Sequence, residues 1–363
     1  MARYFAPAYQ ILVNGSELQA DISKNVQQVQ VVKSKPDTLD TFSLTIVNSF
    51  PEMRWTHTND AELFRAGNSV QIGMGYVDDL QVLMEGEITQ ISPTFPESGT
   101  PTITITGHSR LHWLHGDHKT RTFQNMTDKQ IAEKLGQEAG LEVKAEDAQV
   151  QYDYIMQPNQ TDLQFLRTRA KLINFEVLVE NKTLILRKAK ETEQKIYTLV
   201  WAPVQQASLT GPNTLPLRSF SPNMDALRQV SQVQGRAWDP SSKQVMVGQA
   251  GPGDVTKMGG TQSGGDVRVS AFGKPRQQVR VTTPAASQSE LDQQTKAANN
   301  ESAMNLISGT ATTIGVPELC SGSVVDLQGL GPRFSGQYYI EEATHTIGGD
   351  GYNLSFTVKR NSI

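Results

Sequence analysis

The fold class is indicated most clearly by residues 322–360, which read GSVVDLQGLGPRFSGQYYIEEATHTIGGDGYNLSFTVKR. It opens with a glycine-rich segment and continues as two runs that are typical of a long β-hairpin. In the second run, apolar side chains recur at every second position, which is the spacing of a strand with one buried face. These residues are Tyr352, Leu354, Phe356 and Val358. Because no catalytic motif surrounds the hairpin, the stretch favours a structural protein over an enzyme.

Composition narrows the class of protein before any motif is considered. With 363 residues the chain is too long for one ordinary core, so two or three domains are expected. Its net charge of -4 excludes a global basic field that would attract nucleic acid or an anionic membrane. The single cysteine, Cys320, excludes an internal disulfide and is interpreted as a small buried residue. No run of about 18 apolar residues occurs, so membrane insertion is not expected.

Residues 1–115 are predicted to form a first β-barrel. Asn14-Gly15 lies between two apolar runs, and this dipeptide is the strongest short signal for a hairpin turn. Phe42 and Leu44 alternate along a later run with the period of a strand. Several short strands separated by turns are typical of a barrel or a sandwich.

Residues 116–192 change character and are predicted to be an α+β insertion module. Thr127 is followed three residues later by Gln130, and Thr161 by Gln164, which is the spacing of a capping box at a helix N-terminus. The second helix carries an apolar stripe that we expect to be buried, and a hairpin follows it at once. The stripe consists of Leu163, Leu166, Ala170 and Ile173.

Residues 193–363 are predicted to return to β structure as a second β-barrel region. Residues 251–266 contain many glycines and are predicted to be a mobile loop that does not pack. Residues 287–308 are predicted to be a helix, with Ser287 and Glu290 as a candidate capping box. The apolar face of this helix is thin, so we expect it to lie across a surface or at a subunit boundary.

Three groups of residues occur in an order that matches a known family. They are Thr161-Asp162-Leu163 with Phe165-Leu166, then Trp238-Asp239-Pro240, then Arg333-Phe334-Ser335-Gly336 with Tyr339, His345 and Tyr352. In order and spacing they resemble the phage late control protein D family, from about residue 9 to residue 360. That family consists of tail hubs of contractile phage tails and is similar to the hub part of VgrG in type VI secretion.

The resemblance implies a mainly β chain with an α+β insertion and two tail-tube-like β-barrels. It also implies a homotrimeric ring that adapts a hexameric tube to a trimeric spike and lets DNA or effector pass without specific binding. The implied partners are a separate spike protein, the tail tube or a tube initiator protein, baseplate wedge proteins and a tape measure protein. The implied location is the baseplate of the virion tail, assembled in the host cytoplasm, with no enzyme activity and no cofactor.

The sequence departs from the VgrG pattern after its hub part. It contains no OB-fold and no repetitive β-helix pattern, so the spike is expected to be a separate protein. Residues Arg360 to Ile363 are expected to dock onto that spike.

A cluster of histidines provides the alternative function. His108, His112, His115 and His118 lie close together, and on a helix the first three would share one face that suits zinc. The preceding residues are strand-like and Gly116 would interrupt a helix, so a polar connection between two units is the other interpretation. The four histidines are therefore weak metal candidates, for a tail-associated cell-wall hydrolase or a metal-binding protein. No catalytic or cofactor-binding residue is assigned.

Two further features are interpreted without a chemical role. His345 is expected to be a structural residue of the closing hairpin, with a contact at an interface as the alternative. The module also carries basic side chains, which are expected to form a solvated face or, in a hub, to meet an acidic neighbour. These are Arg167, Arg169, Lys171, Arg187, Lys188 and Lys190.

Overall fold

The computed structural model describes residues 6–34, 38–49, 62–189, 197–201, 213–239, 242–280, 285 and 287–363. Lys190 and Pro240, for which the sequence makes predictions, lie outside these ranges. Thirteen strands form one continuous sheet, and three smaller sheets accompany it. The prediction of a mainly β chain with an α+β insertion is therefore confirmed.

The N-terminal β unit consists of seven strands and one short helix. They are β1 (Pro7–Val13), β2 (Ser16–Glu17), α1 (Ala20–Ser23), β3 (Val26–Lys33), β4 (Thr41–Val47), β5 (Ser69–Tyr76), β6 (Asp79–Thr94) and β7 (Thr102–Ser109). Asn14 and Gly15 have φ angles of 50° and 79°, as a tight hairpin turn requires, so the predicted hairpin is confirmed. The strands β3-β4-β7-β6-β5-β1 curl around their own core, and no ladder between described residues joins β1 to β3.

The α+β module follows a 3-10 helix at Arg110–Leu114. Its elements are β8 (Lys119–Thr127), α2 (Asp128–Glu138), β9 (Glu142–Ala145), β10 (Gln151–Gln160), α3 (Asp162–Leu172), β11 (Phe175–Glu180) and β12 (Thr183–Lys188). Both predicted capping boxes are present, at Thr127 with Gln130 and at Thr161 with Gln164. All four residues of the predicted apolar stripe are buried, and Leu163, Leu166 and Ala170 pack into the core that the module forms for itself.

The C-terminal part contains a second β unit with a smaller sheet inserted in it. Its elements are β13 (Tyr197–Val200), β14 (Thr214–Met224), β15 (Gln232–Asp239), β16 (Gln244–Ala250), α4 (Gly264–Phe272), β17 (Gln277–Arg280), α5 (Gln288–Ala303), β18 (Ile307–Ile314), β19 (Val324–Gln328), α6 (Gly331–Phe334), β20 (Gly336–Gly348) and β21 (Gly351–Arg360). Strands β13, β14, β18, β21, β20 and β19 form a closed barrel of six strands. The inserted sheet has the order β16-β15-β17 and packs on α5.

One prediction for this part is wrong, and a predicted helix is present but shorter than expected. Residues 251–266 were expected to remain unpacked, but Met258 is 1% exposed and α4 already begins at Gly264. Its N-cap is a Ser263–Asp266 capping box that the sequence analysis does not predict. The helix expected over 287–308 ends at Ala303, because Ile307 and Ser308 belong to β18. At its start, the Ser287 hydroxyl accepts a hydrogen bond from the Glu290 amide at 3.2 Å, as expected.

The final residues also differ from expectation. Asn361 and Ser362 are fully buried in their own chain. The Met258 amide donates to Asn361 Oδ1 at 2.9 Å, and the amides of Thr261 and Gln262 donate to the Ile363 carbonyl oxygen. The prediction that residues 360–363 dock onto another protein is therefore wrong, since the 256–262 segment already holds them.

The two β units repeat the same strand arrangement. The order β3-β4-β7-β6-β5 in the first unit corresponds to β14-β18-β21-β20-β19 in the second, both in space and in chain order. Both units shift register at the same two places, once in the first strand and once in the fourth. These shifts lie between Val26 and Gln28, Leu217 and Ser219, Ile88 and Gln90, and Ile340 and Glu342. Two units of one architecture are thus present in each chain.

A substitution at Gly107 would test how closely the first β unit is packed. A Cβ at this position would lie 2.2 Å from the Glu87 carbonyl oxygen and 2.3 Å from the Phe42 ring. We expect Gly107→Ala to lower the free energy of unfolding by about 1–3 kcal/mol, because backbone and core must shift to accept it. Gly116→Ala is the control, since nothing lies within 4 Å of its Cβ position. Urea denaturation would measure both, and equal stabilities would contradict the packing.

Candidate functional site

The candidate functional site is one face of the 13-stranded sheet. Eight neighbouring strands, β14-β18-β21-β20-β3-β4-β7-β6, run antiparallel from one β unit into the other. Side chains alternate between the two faces of each strand, so residues that pair across strands share a face. Two uninterrupted rows illustrate the pattern on the outward face. They are Ser219, Thr312, Ser355, Thr344, Val32 and Thr41, and Asn353, Thr346, Gln30, Ser43, Thr106 and Gln90.

Hydroxyl and amide side chains dominate this surface, which we call the polar face. Its uncharged polar members are Gln28, Gln30, Thr41, Ser43, Thr45, Gln90, Ser92, Thr94, Thr102, Thr104, Thr106, Ser219, Ser221, Asn223, Ser308, Thr310, Thr312, Thr344, Thr346, Asn353, Ser355 and Thr357. None of them is buried, whereas the side chains between them fill the two cores. Charged side chains are few among the described residues of this face: Arg218 donates to Asn353 and Glu342 lies opposite Thr357. Lys359 and Glu341 form an ion pair whose N and O atoms are 2.7 Å apart.

Hydrogen bonds between neighbouring strands order the polar face. Gln30 Nε2 donates to Thr346 Oγ1 at 3.4 Å, and this bond crosses from the first β unit to the second. The hydroxyls of Ser219 and Thr312 lie 2.6 Å apart. Such a face offers many exchangeable hydrogen bonds and few fixed charges. It therefore offers few of the ion pairs with phosphate on which tight nucleic-acid binding depends.

The predicted histidine cluster does not form a helical face. His108 belongs to β7, and its Nδ1 lies 2.9 Å from the Thr89 hydroxyl. His112 lies in the 3-10 helix, where its Nε2 is 3.3 Å from a Glu87 oxygen. Burial lowers the pKa of His108, and repulsion from protonated His112 and His115 lowers it further. In the described ranges, no group of three or more His, Cys, Asp and Glu side chains is placed to hold a metal ion.

His345 lies at the centre of the junction between the two β units. It is fully buried in β20, paired with Val31 of β3, which excludes the alternative of a contact with another molecule. Its Nδ1 lies 2.9 Å from the Tyr352 hydroxyl, and its Nε2 lies 3.9 Å from Cys320 Sγ. Burial, and secondarily the Lys33 ammonium, lowers the pKa of His345 to about 3. Cys320 is only partly buried.

The basic side chains of the module are mostly used inside the chain. The Arg169 guanidinium donates two hydrogen bonds to the Asp128 carboxylate. This buried carboxylate also accepts a hydrogen bond from the Tyr152 hydroxyl. Arg187 Nε donates to Glu176 Oε1 at 2.7 Å. The expectation of a merely solvated face is therefore wrong for these residues, because buried carboxylates of the same chain accept their hydrogen bonds.

Other contacts of this kind hold the module against both β units. Arg167 donates to the Thr38 carbonyl oxygen in the N-terminal part. Glu176 Oε2 accepts from the Tyr339 hydroxyl of β20 at 2.9 Å. Lys171 pairs with Glu301 of α5 at 2.7 Å. These bonds fix the module beside the polar sheet.

The comparison with protein families identifies the chain. A family model described as the Alg8 N-terminal domain matches residues 6–349. The chain belongs to the Alg8 N-terminal domain family. The matched range includes every strand of the polar face except β21. Its description differs from that of phage late control protein D, which the sequence motifs resemble.

Solved structures of tail proteins are similar to this member of the Alg8 N-terminal domain family. The 43 kDa tail protein of prophage MuSo2 from Shewanella oneidensis has a TM-score of 0.71 and 14% identity, covering 98% of both chains. A tail protein from Neisseria meningitidis has a TM-score of 0.70 and 16% identity, covering 98% of this chain and 97% of its own. An Escherichia coli type VI secretion component has a TM-score of 0.55 and 13% identity, covering 97% and 77%.

At these identities the likeness establishes the fold, which is that of phage tail proteins. No curated protein matches the sequence. None of the helices in the described ranges has the length and apolarity needed to cross a membrane.

Because His345 is buried, the free energy of unfolding should depend on pH. The unfolded chain takes up a proton at this residue near pH 6.5, whereas the folded chain does so only near pH 3. Acid therefore favours unfolding, and the contribution of His345 is constant above the higher value. Between the two values we expect the free energy of unfolding to fall by about 1.4 kcal/mol per pH unit from this group.

Urea denaturation at neutral and mildly acidic pH would measure the effect. We expect His345→Gln to show a shallower decline than the wild-type protein. Some decline persists because the pKa of His108 is also lowered. His118→Gln is the control, since His118 is exposed and its replacement should leave the slope unchanged. Identical slopes for wild type and His345→Gln would contradict a buried neutral His345.

Proposed function

We propose that the chain is the structural hub of a contractile tail baseplate, in a phage or a phage-like injection particle. Three copies form a ring that adapts a six-fold tube to a three-fold spike and leaves a lumen for DNA or effector. The observation that carries the proposal is the polar face, which runs across eight strands and both β units with few charged side chains. Its role is mechanical and needs no catalytic group.

The internal repeat supports the change of symmetry. A trimer of chains that each contain two similar β units presents six similar units around one axis. A hexameric tube can then meet a quasi-six-fold surface, while the rest of each chain retains three-fold symmetry. Closed rings of this type use the same head-to-tail contact at every joint.

The chemistry of the polar face supports its position around the lumen. Hydroxyl and amide groups hydrogen-bond water along the wall of the lumen, and they do not form ion pairs with a phosphate backbone. Three copies of eight strands, at about 4.8 Å per strand, would form a wall of roughly 115 Å in circumference, or roughly 37 Å across. That width accommodates an extended nucleic acid or polypeptide with its water.

The resemblance to late control protein D extends the proposal to partners. A separate spike protein binds one end of the ring, the tail tube or a tube initiator protein binds the other, and a tape measure protein reaches the lumen. The α+β module faces baseplate wedge proteins. The outer side of β10 supports this last contact, because it leaves Tyr154 58% and Met156 46% exposed.

Light scattering would test the ring directly. We expect the purified chain alone to have three times the 39.9 kDa chain mass, or to reach three chain masses plus the mass of the spike when its spike protein is added. A chain that stays monomeric under both conditions would contradict the hub. A zymogram on the same sample separates the hub from a cell-wall hydrolase, because the hub should leave peptidoglycan intact.

A further inference from the structure

Two strand edges end the polar face, one in each β unit. Residues 89–94 of β6 pair with β7 on one side, while β5 pairs only with residues 79–87. Residues 217–224 of β14 pair with β18, while β13 pairs only with residues 214–216. Among the described residues, no strand pairs with either remaining edge. Unpaired edges are templates for another strand.

The chain already contains the equivalent joint in paired form. In the repeat, β20 corresponds to β6 and β3 corresponds to β14. The first half of β20 pairs with β19, as the first half of β6 pairs with β5. After the bulge, β20 pairs with β3 through five residue pairs, from Ala343 with Lys33 to Ile347 with Val29. The corresponding second half of β6 lacks this partner.

Strand direction agrees with a joint between copies. All seven ladders from β14 to β6 are antiparallel, so the first and the eighth strand run in opposite directions. When a rotated copy is placed alongside, β6 of one copy meets β14 of the next in antiparallel orientation. The alternation therefore continues around a ring without a break.

Aligning the two units on their bulges gives the residues that would face each other. The internal joint then maps onto four pairs: Ile91 with Met224, Ser92 with Asn223, Pro93 with Pro222, and Thr94 with Ser221. The serine, threonine and asparagine side chains fall on the polar face. Ile91, which is 38% exposed, and Met224 fall on the opposite side.

Pro93 and Pro222 explain why these two strand edges do not pair readily with other strands. Proline lacks an amide donor and is tolerated at a sheet edge when the missing donor points outward. It thereby weakens pairing with arbitrary strands. In this alignment Pro93 and Pro222 meet, so both missing donors fall in one pair. Because hydrogen-bonded and non-hydrogen-bonded pairs alternate along an antiparallel ladder, the next hydrogen-bonded pair across the joint is Ile91 with Met224.

We propose that residues 89–94 of one copy pair with residues 219–224 of the next copy, in the register Thr94 opposite Ser221. This inference rests on the ring proposed above and names the contact that closes it. Three such joints would link three polar faces into one continuous wall.

Disulfide trapping would test this register. Cysteines can be bridged when their Cα atoms lie roughly 4.4–6.8 Å apart, as directly opposed residues do. We expect the double variant Thr94→Cys/Ser221→Cys to form covalent dimers and trimers on oxidation, seen on a non-reducing gel. Both residues are exposed, so the fold should tolerate the changes. The matched control is Thr94→Cys/Thr310→Cys, because Thr310 lies on the same face one strand farther away.

The mass of the same samples distinguishes the two proposals. Cross-linking of the first pair but not of the control supports the joint. A trimer by light scattering in which neither pair, or both pairs equally, cross-link overturns the joint and leaves the ring standing. A monomer without cross-links overturns both. Wild-type protein and the single variants report any contribution from the native Cys320.

Discussion

The hydrogen-bonded ladder between β20 and β3 sets how the two β units are arranged. It joins the two β units into one sheet and fixes the register of every strand on either side. Side chains alternate with a period of two, so a slip of one residue would turn Thr344 and Thr346 toward the core. The same slip would bring His345 onto the polar face. Burial of a neutral histidine at this ladder thus reports correct joining of the units.

The α+β module stabilises this junction from the side. Its carboxylates and arginines form pairs within the module, while Glu176 reaches the Tyr339 hydroxyl in β20. A buried ion pair contributes little net stability, but removing one partner is costly, so these contacts specify how the units sit together. The module therefore holds the sheet in one arrangement and leaves its polar face uncovered by these contacts.

The polar face and the repeat give the proposed hub a common physical basis. One architecture used twice supplies similar edges, and hydroxyl and amide side chains with few charges cover eight strands, which suits a wall that forms few ion pairs with phosphate. The inserted sheet is the part with no counterpart in the first unit. It exposes Trp238, which is 58% accessible, on the side opposite α5.

The local elements could be predicted from sequence. Asn14-Gly15, the two capping boxes and the alternation in β21 each depend on neighbouring residues only, so turn chemistry, backbone donors and side-chain period were enough to predict them. Tertiary structure decided how these elements combine. Two β units are predicted from sequence, but their strand-by-strand correspondence is not visible there, because corresponding positions, such as Pro93 and His345, share a place in the ladder and not a residue type. The polar face, the buried tail and the paired arginines arise from contacts between residues far apart in the chain, which no local pattern contains.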